Sequence, residues 1–370
     1  MSIENGCFFQ RHLYKSLFLW YNKKDDFFFG REGKSVTPNE QYYKRVIGAV
    51  GATMLIFWVL INAFGVLYTL FSLVLSIFPL SSVAIRIADQ LVYGAGYLTA
   101  FMLPVAFLRS FLRKKNCPVQ SMYLSVKLSP YLPLMILAGI AICFSAVQIN
   151  YALVSVFDYH SFSSEVLWGQ STDMPPYEII LQLIVMCVVP GFCEEFLFRG
   201  AILTNCLPFG RSNAILISAF LFSMMHQNVE QMLYTFVAGI VLGLVYEYTG
   251  SIWNCTILHI CNNFISVMES AIIVNLGESV FTSLILTVFE GIIFLLGTVS
   301  AVILICKLCA DRKDLRGGVF GKDLPAADGY ARCPIEPKSA RRLFLRPTMV
   351  IFLSLCVLQI LLLIGMAVMM

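Results

Sequence analysis

Long runs of apolar residues, separated by short polar or charged segments, occupy most of the chain after residue 45. A helix needs roughly 20 predominantly apolar residues to cross the hydrocarbon core of a bilayer. The pattern therefore predicts an all-α fold, a polytopic transmembrane helix bundle of about eight or nine spans. The first predicted span is long enough to tilt or kink, whereas the fifth is short. The predicted spans are residues 46–79, 88–108, 131–155, 178–205, 213–227, 231–248, 252–272, 280–306 and 348–370.

The composition supports a membrane protein rather than a soluble domain. Of the 370 residues, 58% are hydrophobic and only 13% are charged, whereas soluble domains are about 25% charged. The net charge of +4 is too small to argue for nucleic acid, so we expect membrane lipid as a partner and no nucleic acid. The twelve cysteines lie mostly in apolar segments, where they are expected to act as small hydrophobic residues rather than as a disulfide framework.

The lysine and arginine residues predict the orientation of the chain in the membrane. They are concentrated in the N-terminal 45 residues, in the loop after the second predicted span and in the segment 307–346. The loop 156–176 contains three acidic residues and no lysine or arginine. Because cytoplasmic loops are enriched in lysine and arginine, we expect the N-terminus and the segment 307–346 to be cytoplasmic.

Charged residues inside the fourth predicted span are the main candidates for a functional site. Glu194, Glu195 and Arg199 lie in an apolar stretch that begins at Leu181. An ionisable residue at membrane depth is costly and is by default a functional-site hypothesis. Glu195 and Arg199 are four residues apart and share a helix face, so they are predicted to form an ion pair. Glu194 points roughly 100° away around the helix, which leaves it free for chemistry.

Two further predicted spans carry histidines. Phe222 and His226 share one helix face, as do His259 and Asn263, because the residues of each pair are four positions apart. At about 1.5 Å per helical residue, Glu195, His226 and His259 lie roughly 10–20 Å from the inner ends of their spans. These side chains are therefore predicted to meet in one buried cavity on the inner side of the membrane midplane.

This set of side chains is suited to hydrolysis. Histidine and glutamate can hold a metal ion that activates water, with the other glutamate as general base. A glutamate–histidine pair can also activate water without a metal, and Asn263 can donate a hydrogen bond to an oxyanion. The sequence has no His-Glu-x-x-His motif, which excludes a standard zincin helix. Cys193 and Cys261 adjoin the motifs, so a cysteine nucleophile is a further alternative.

Three other interpretations of the same residues are open at this point. Buried glutamate, arginine and histidine can form structural pairs that hold membrane helices together. A non-catalytic immunity or scaffold protein would keep such pairs without activity. An ion-coupled transporter would use the buried carboxylates and histidines as a proton or ion relay. A transporter is expected to have broken helices in both halves, whereas the Pro190-Gly191 break occurs in one half only.

The three motifs resemble the signature of the CAAX protease and bacteriocin-processing family. Its members include type II CAAX prenyl endopeptidases and bacterial abortive-infection-like membrane proteases. The similarity covers about residues 178–270, and the motifs occur in order in consecutive predicted spans. They are Glu194-Glu195-Phe-Leu-Phe-Arg199, Phe222-Ser-Met-Met-His226 and His259-Ile-Cys-Asn-Asn263.

The resemblance implies an intramembrane endopeptidase that cleaves a membrane-associated or lipidated protein or peptide. It implies that Glu194 is the base that activates water, with Glu195, His226, His259 and Asn263 around it. The family is often called metal-dependent, and a zinc ion would be held by His226, His259 and Glu195; a metal-free mechanism based on glutamate is the alternative. Eukaryotic relatives trim the last three residues of prenylated proteins. Bacterial relatives act in bacteriocin processing and self-immunity, and we expect a bacterial cell membrane as the location.

With this assignment the chain divides into six predicted parts. The N-terminal part contains alternating aromatic and basic residues, which fits either a segment lying on the membrane surface or a solvated tail. The parts are a cytoplasmic or interfacial segment 1–45, N-terminal transmembrane helices 46–177, the protease core 178–270, a further transmembrane helix 271–306, a cytoplasmic loop 307–346 and a C-terminal transmembrane helix 347–370.

Overall fold

The computed structural model of the protein describes residues 40–155 apart from 116, 118, 120 and 125, together with residues 174–314 and 346–369. These described residues form nine helices and no strand, so the all-α prediction is confirmed. The helices are α1 (Glu40–Leu75), α2 (Ser82–Lys114), α3 (Leu132–Ser155), α4 (Pro176–Phe209), α5 (Arg211–Met225), α6 (Val229–Thr249), α7 (Ile252–Leu276), α8 (Val280–Asp314) and α9 (Pro347–Met369).

The helices form a membrane bundle. In the described part of the chain, seven helices are long and apolar enough to cross a membrane, and two shorter apolar helices are α5 and the Pro347–Leu362 part of α9. Each predicted span corresponds to one helix, and the fifth, predicted to be short, is the 15-residue α5. The chain is an integral membrane protein. The predicted interfacial segment up to residue 39, and most of the predicted loop 307–346, lie outside the described residues.

Helix α4 departs from a uniform α-helix. Two π-helical stretches, Leu183–Val188 and Phe196–Leu203, flank a short α-helical segment that contains Pro190. Proline has no N–H to donate to the carbonyl four residues earlier, which here belongs to Met186. That carbonyl accepts a hydrogen bond from Nδ2 of Asn263 on α7, at 3.1 Å. Because a freed carbonyl in a membrane interior must find another partner, the break in α4 helps to fix where α7 docks.

Glycines allow the helices that carry the motifs to pack closely. Gly191 of α4 lies against Ile260 of α7, and a Cβ added at position 191 would come within 2.6 Å of Ile260 Cγ1. Gly239 of α6 lies against Ala219 of α5, where an added Cβ would be 2.8 Å from the Ala219 Cα. Small residues at membrane helix interfaces permit such backbone approach, and here they draw α4 towards α7 and α5 towards α6.

A Gly239→Ala substitution is expected to destabilise the protein by about 1–3 kcal/mol, because the new methyl group overpacks a backbone contact. The melting temperature of the purified protein in detergent measures this effect. Gly291→Ala on α8 is the matched control, since nothing lies within 4 Å of a Cβ added there and alanine has the higher helix propensity. Equal melting temperatures for the two variants would contradict the packing role of Gly239.

Helix α9 packs against α1. Thr348 Oγ1 donates a hydrogen bond to the Gly48 carbonyl at 2.9 Å, and Trp58 Nε1 donates one to Gln359 Oε1 at 3.2 Å. A Cβ added at Gly51 would lie 2.6 Å from a backbone nitrogen of α9. The last described helix is therefore joined to the N-terminal part of the bundle, although the predicted cytoplasmic loop precedes it.

Candidate active site

Three helices bring the sequence motifs together near the middle of the 34-residue α4. Glu194, Glu195 and Arg199 lie on α4 where its α-helical segment passes into the second π-helical stretch. Short π-helical insertions are frequent at functional sites. His226 follows the last residue of α5, and His259 lies on α7. The two glutamates, Arg199 and His259 are all buried, with exposed fractions of 6% or less.

The ion pair predicted between Glu195 and Arg199 is present and fully buried. Arg199 Nη1 donates to Glu195 Oε1 at 2.8 Å, and neither side chain is exposed. Arg199 Nη2 donates to the Gly239 carbonyl at 3.1 Å, and the guanidinium lies 4.6 Å from the centre of the Phe222 ring. These contacts tie α4 to α5 and α6, and they give the buried guanidinium polar and aromatic partners, while its Nε has no hydrogen-bond partner among the described residues.

Glu195 also fixes the orientation of His259. Nδ1 of His259 lies 2.8 Å from Glu195 Oε1. Because an ionised carboxylate can only accept hydrogen bonds, this ring nitrogen carries the hydrogen and donates it. The other ring nitrogen, Nε2, then points towards Glu194, with 3.8 Å between Nε2 and Glu194 Oε2. A carboxylate that holds one nitrogen of a histidine in this way sets the tautomer and leaves the second nitrogen for chemistry.

The two oxygens of Glu194 have different surroundings. Oε1 accepts a hydrogen bond from the Tyr97 hydroxyl on α2, so Glu194 is less free than the sequence predicts. Oε2 is buried, and no described residue donates a hydrogen bond to it. A buried carboxylate oxygen without a donor is uncommon and calls for an explanation such as a bound water or a catalytic role.

Phe222 joins the remaining parts of the site. Its carbonyl accepts a hydrogen bond from Nδ1 of His226 at 2.8 Å. A carbonyl offers no hydrogen, so Nδ1 carries it and Nε2 of His226 is left as an acceptor. The Phe222 ring packs edge-on against both imidazoles, with centroid distances of 5.1 Å to His226 and 6.0 Å to His259. The three motifs are thus in contact through named side chains.

The turn after His226 is strained. Gln227 has a φ of 53°, and it is the one non-glycine residue with positive φ in the described part of the chain. Such a conformation costs free energy for a residue with a side chain and is often found at functional sites. Asn228 then caps α6, with its Oδ1 accepting from the Glu230 N–H at 3.0 Å. The turn holds His226 between the end of α5 and the start of α6.

Asn263 lies one helical turn beyond His259 on α7. Its Nδ2 donates to the Met186 carbonyl, and Asn262 Nδ2 donates to its Oδ1 at 3.4 Å. A primary amide has two hydrogens, and one bond to Met186 uses only one of them. The oxyanion-binding role of Asn263 therefore stays a prediction, and the structure adds a packing role beside α4.

The predicted zinc ligands are not arranged around one point. Glu195 faces Nδ1 of His259. A metal shared with His226 would bind the other ring nitrogen of His259, Nε2, which lies on the opposite side of the ring from Glu195. The carboxylate oxygen nearest to Nε2 belongs to Glu194. Among the described residues, no group of three His, Cys, Asp or Glu side chains is placed to hold a metal ion. The set His226, His259 and Glu195 does not fit a metal in this arrangement, and zinc binding stays a prediction.

Tyr97, which contacts Glu194, is a site residue that was not predicted from the sequence. It lies in the second predicted span, and a hydroxyl inside an apolar helix was the available signal. Its ring stacks between Tyr93 and Phe101, at centroid distances of 5.9 Å and 4.6 Å. Tyr93, Tyr97 and Phe101 follow one another at spacings of four residues, so they form a row along one face of α2.

Residues 176–265 match the family model described as Type II CAAX prenyl endopeptidase Rce1-like. The match begins at the start of α4 and ends within α7, so it contains the three motifs and excludes α1–α3, α8 and α9. The resemblance based on the motifs is confirmed for this part of the chain. Comparisons with curated proteins and with solved structures found no match.

Proposed function

We propose, on the premise that residues 176–265 form an Rce1-like domain, that the protein is an intramembrane endopeptidase. Its substrate is a membrane-associated or lipidated protein or peptide. The observation that carries this proposal is a pair of atoms on two buried side chains that face each other across 3.8 Å, Oε2 of Glu194 and Nε2 of His259. The family match supports proteolysis in general, and this pair of atoms supports a specific way to activate water.

Neither Oε2 of Glu194 nor Nε2 of His259 carries a hydrogen that it could donate to the other. In the neutral imidazole of His259 the hydrogen is on Nδ1, which donates it to Glu195, so Nε2 is an acceptor. Oε2 of an ionised Glu194 is also an acceptor. Oε2 of Glu194 is buried without a donor, and two acceptors that face each other need a donor between them. One water molecule beside the gap can donate a hydrogen to each atom. A water oxygen can lie about 2.8 Å from both atoms, because the two atoms are 3.8 Å apart.

The proposed reaction starts from this water. Glu194 Oε2 takes one proton from it, and the resulting hydroxide attacks the carbonyl carbon of the scissile peptide bond. A carbon–oxygen bond forms, the carbon–nitrogen bond then breaks, and the proton held by Glu194 passes to the departing amine. The products are a carboxylic acid and an amine, so the step balances with water as the only other reactant.

The surrounding residues have separate roles in this scheme. Glu195 keeps His259 in the tautomer that presents Nε2, and Arg199 balances the charge of Glu195. The second amide hydrogen of Asn263 is the proposed donor to the oxyanion that forms during attack. His226, with Nε2 left as an acceptor, is proposed to orient the substrate or the departing amine.

The position of the site restricts the substrate. Glu194 lies near the middle of a helix that is long enough to cross a membrane, so the cleaved bond must reach the membrane interior. A peptide backbone inside a bilayer normally satisfies its hydrogen bonds within a helix. The cleaved segment must therefore be locally extended in the site, where protein groups replace its helical hydrogen bonds.

Comparative membrane proteomics tests the proposed function in cells. Cells carrying the wild-type chain should contain peptides with new N- or C-termini that are absent from cells carrying Glu194→Gln, together with less of the intact precursors. Cells carrying Glu290→Gln are the matched control, because Glu290 lies on α8 outside the site and its replacement should leave these termini unchanged. Identical sets of termini in wild-type and Glu194→Gln cells would contradict the proposal.

A further inference from the structure

Tyr97 contacts the proposed catalytic carboxylate from outside the family-matched segment. It lies on α2, whereas the match begins at residue 176. Its hydroxyl donates a hydrogen bond to Oε1 of Glu194, which is the oxygen turned away from His259. The described helices therefore assemble the site from two parts of the chain.

The ring of Tyr97 is held firmly by its neighbours. It is stacked on Phe101 with 4.6 Å between centroids and an interplanar angle of 27°, and Phe101 is buried and packs on Phe57 of α1 at 4.8 Å. On its other side it is stacked on Tyr93, whose ring contacts Tyr68 of α1 edge-on at 5.9 Å. This row of aromatic rings fixes the hydroxyl relative to α4.

We propose that Tyr97 is a positioning residue that holds Oε1 of Glu194, so that Oε2 is the oxygen presented to water and to His259. The inference rests on the proposed function, because it assigns Tyr97 a task in activating water for peptide hydrolysis. A glutamate side chain has three rotatable bonds, and without an anchor either oxygen can turn towards His259. A donor on one oxygen selects one rotamer before the substrate arrives, and such preorganisation lowers the barrier of the chemical step.

The same contact makes the N-terminal helices part of the catalytic unit. Tyr97 reaches Glu194 only because α2 packs against α4, and α2 is in turn packed against α1 through Phe57 and Phe101. Helices α1 and α2 are therefore required for turnover as well as for anchoring the chain in the membrane.

Tyr97→Phe tests the inference, because it keeps the stacked ring and removes only the hydroxyl. A hydrogen bond to a charged group contributes enough to predict a fall in kcat of about 10- to 100-fold. KM should change less than about twofold, since Tyr97 is not proposed to bind substrate. Tyr68→Phe is the matched control: it removes one hydroxyl from the same row of rings, and its kcat should equal that of the wild type. Wild-type kcat in a folded Tyr97→Phe protein would overturn the inference.

A double-mutant cycle separates positioning from a general structural effect. Glu194→Asp shortens the side chain and withdraws it from the Tyr97 hydroxyl. In that background Tyr97→Phe should lower the residual kcat by less than about twofold, because the contact is already lost. If Tyr97→Phe lowers kcat by the same factor in the wild-type and Glu194→Asp backgrounds, Tyr97 acts through the general structure of the protein and not through Glu194. That result would overturn the inference.

The outcomes for the two proposals are distinguishable. A wild-type protein that cleaves no membrane peptide contradicts the proposed function. Thermal unfolding then tests the contact between Tyr97 and Glu194 independently of catalysis. The shift in melting temperature caused by Tyr97→Phe should be larger in the wild-type background than in Glu194→Ala, and equal shifts overturn the inference. Cleavage by the wild type, none by Glu194→Gln, and wild-type rates for Tyr97→Phe would retain the function and remove the role of Tyr97.

Discussion

Glu194→Gln is expected to abolish peptide cleavage while leaving the fold intact. Glutamine has nearly the same shape, and its amide oxygen can still accept the hydrogen bond from Tyr97, but it cannot take a proton from water. General base catalysis contributes about 10²- to 10⁴-fold, so kcat should fall by at least about 100-fold. The measurement is cleavage of a fluorogenic membrane peptide by the purified protein in proteoliposomes, with the melting temperature as the check on folding.

The matched control for this variant is Glu290→Gln, which removes a partly buried carboxylate from α8, away from the site. It should cleave at the wild-type rate. Zinc content, measured on the same preparations, distinguishes two roles for Glu194. Equal zinc content in both proteins with activity lost in Glu194→Gln supports the base, whereas loss of zinc and activity together would identify a metal ligand. Wild-type turnover by a well-folded Glu194→Gln protein would refute the assignment.

Arg199→Ala is expected to lower both the folded yield and the activity. It leaves the carboxylate of Glu195 buried without its cationic partner, and breaking a buried ion pair in this way costs about 3–5 kcal/mol. It also removes the hydrogen bond to the Gly239 carbonyl and the contact with the Phe222 ring. The measurements are the yield of monodisperse protein after extraction and its melting temperature.

A double variant shows whether the unpaired charge is the cause. Glu195→Gln with Arg199→Met removes both charges and keeps side chains of similar length. Replacing a whole buried ion pair is far less costly than removing one partner, so the double variant should melt at a higher temperature than Arg199→Ala. Its kcat should stay below the wild-type value, because the neutral amide oxygen of glutamine accepts the hydrogen bond from Nδ1 of His259 more weakly than the carboxylate does. A double variant as unstable as Arg199→Ala would show that the loss comes from packing instead.

The part of the site that depends on local helix geometry was predictable from the sequence. A spacing of four residues predicts a shared face, and Glu195 with Arg199 and Phe222 with His226 are in contact as that rule requires. The membrane class and the position of each apolar helix were also predictable from hydropathy, and seven of the nine described helices are long and apolar enough to cross a membrane. The estimated distances of the motif residues from the inner ends of their spans predicted that α4, α5 and α7 meet. The contact between Glu195 and His259 agrees with that prediction.

The contacts that depend on how distant helices rotate against one another were not predictable. Tyr97 and Glu194 are 97 residues apart, and Asn263 and Met186 are 77 apart. Hydropathy identifies a span but does not specify which of its faces meets which neighbour. Which ring nitrogen of His259 faces Glu195 also depends on how α4 and α7 are rotated against each other. Only the packed structure shows that Glu195 contacts Nδ1.

The pairing of α9 with α1 has a consequence for how the protein is made. A chain inserted into the membrane from its N-terminus presents α1 long before α9 has been synthesised. During that time the indole N–H of Trp58 and the carbonyl of Gly48 are without the partners that Gln359 and Thr348 later provide. Because α1 packs against α2, and α2 carries Tyr97, we expect the packing around Glu194 to gain its last support when the last described helix enters the membrane. The proposed site is therefore expected to reach its final packing only after α9 has inserted.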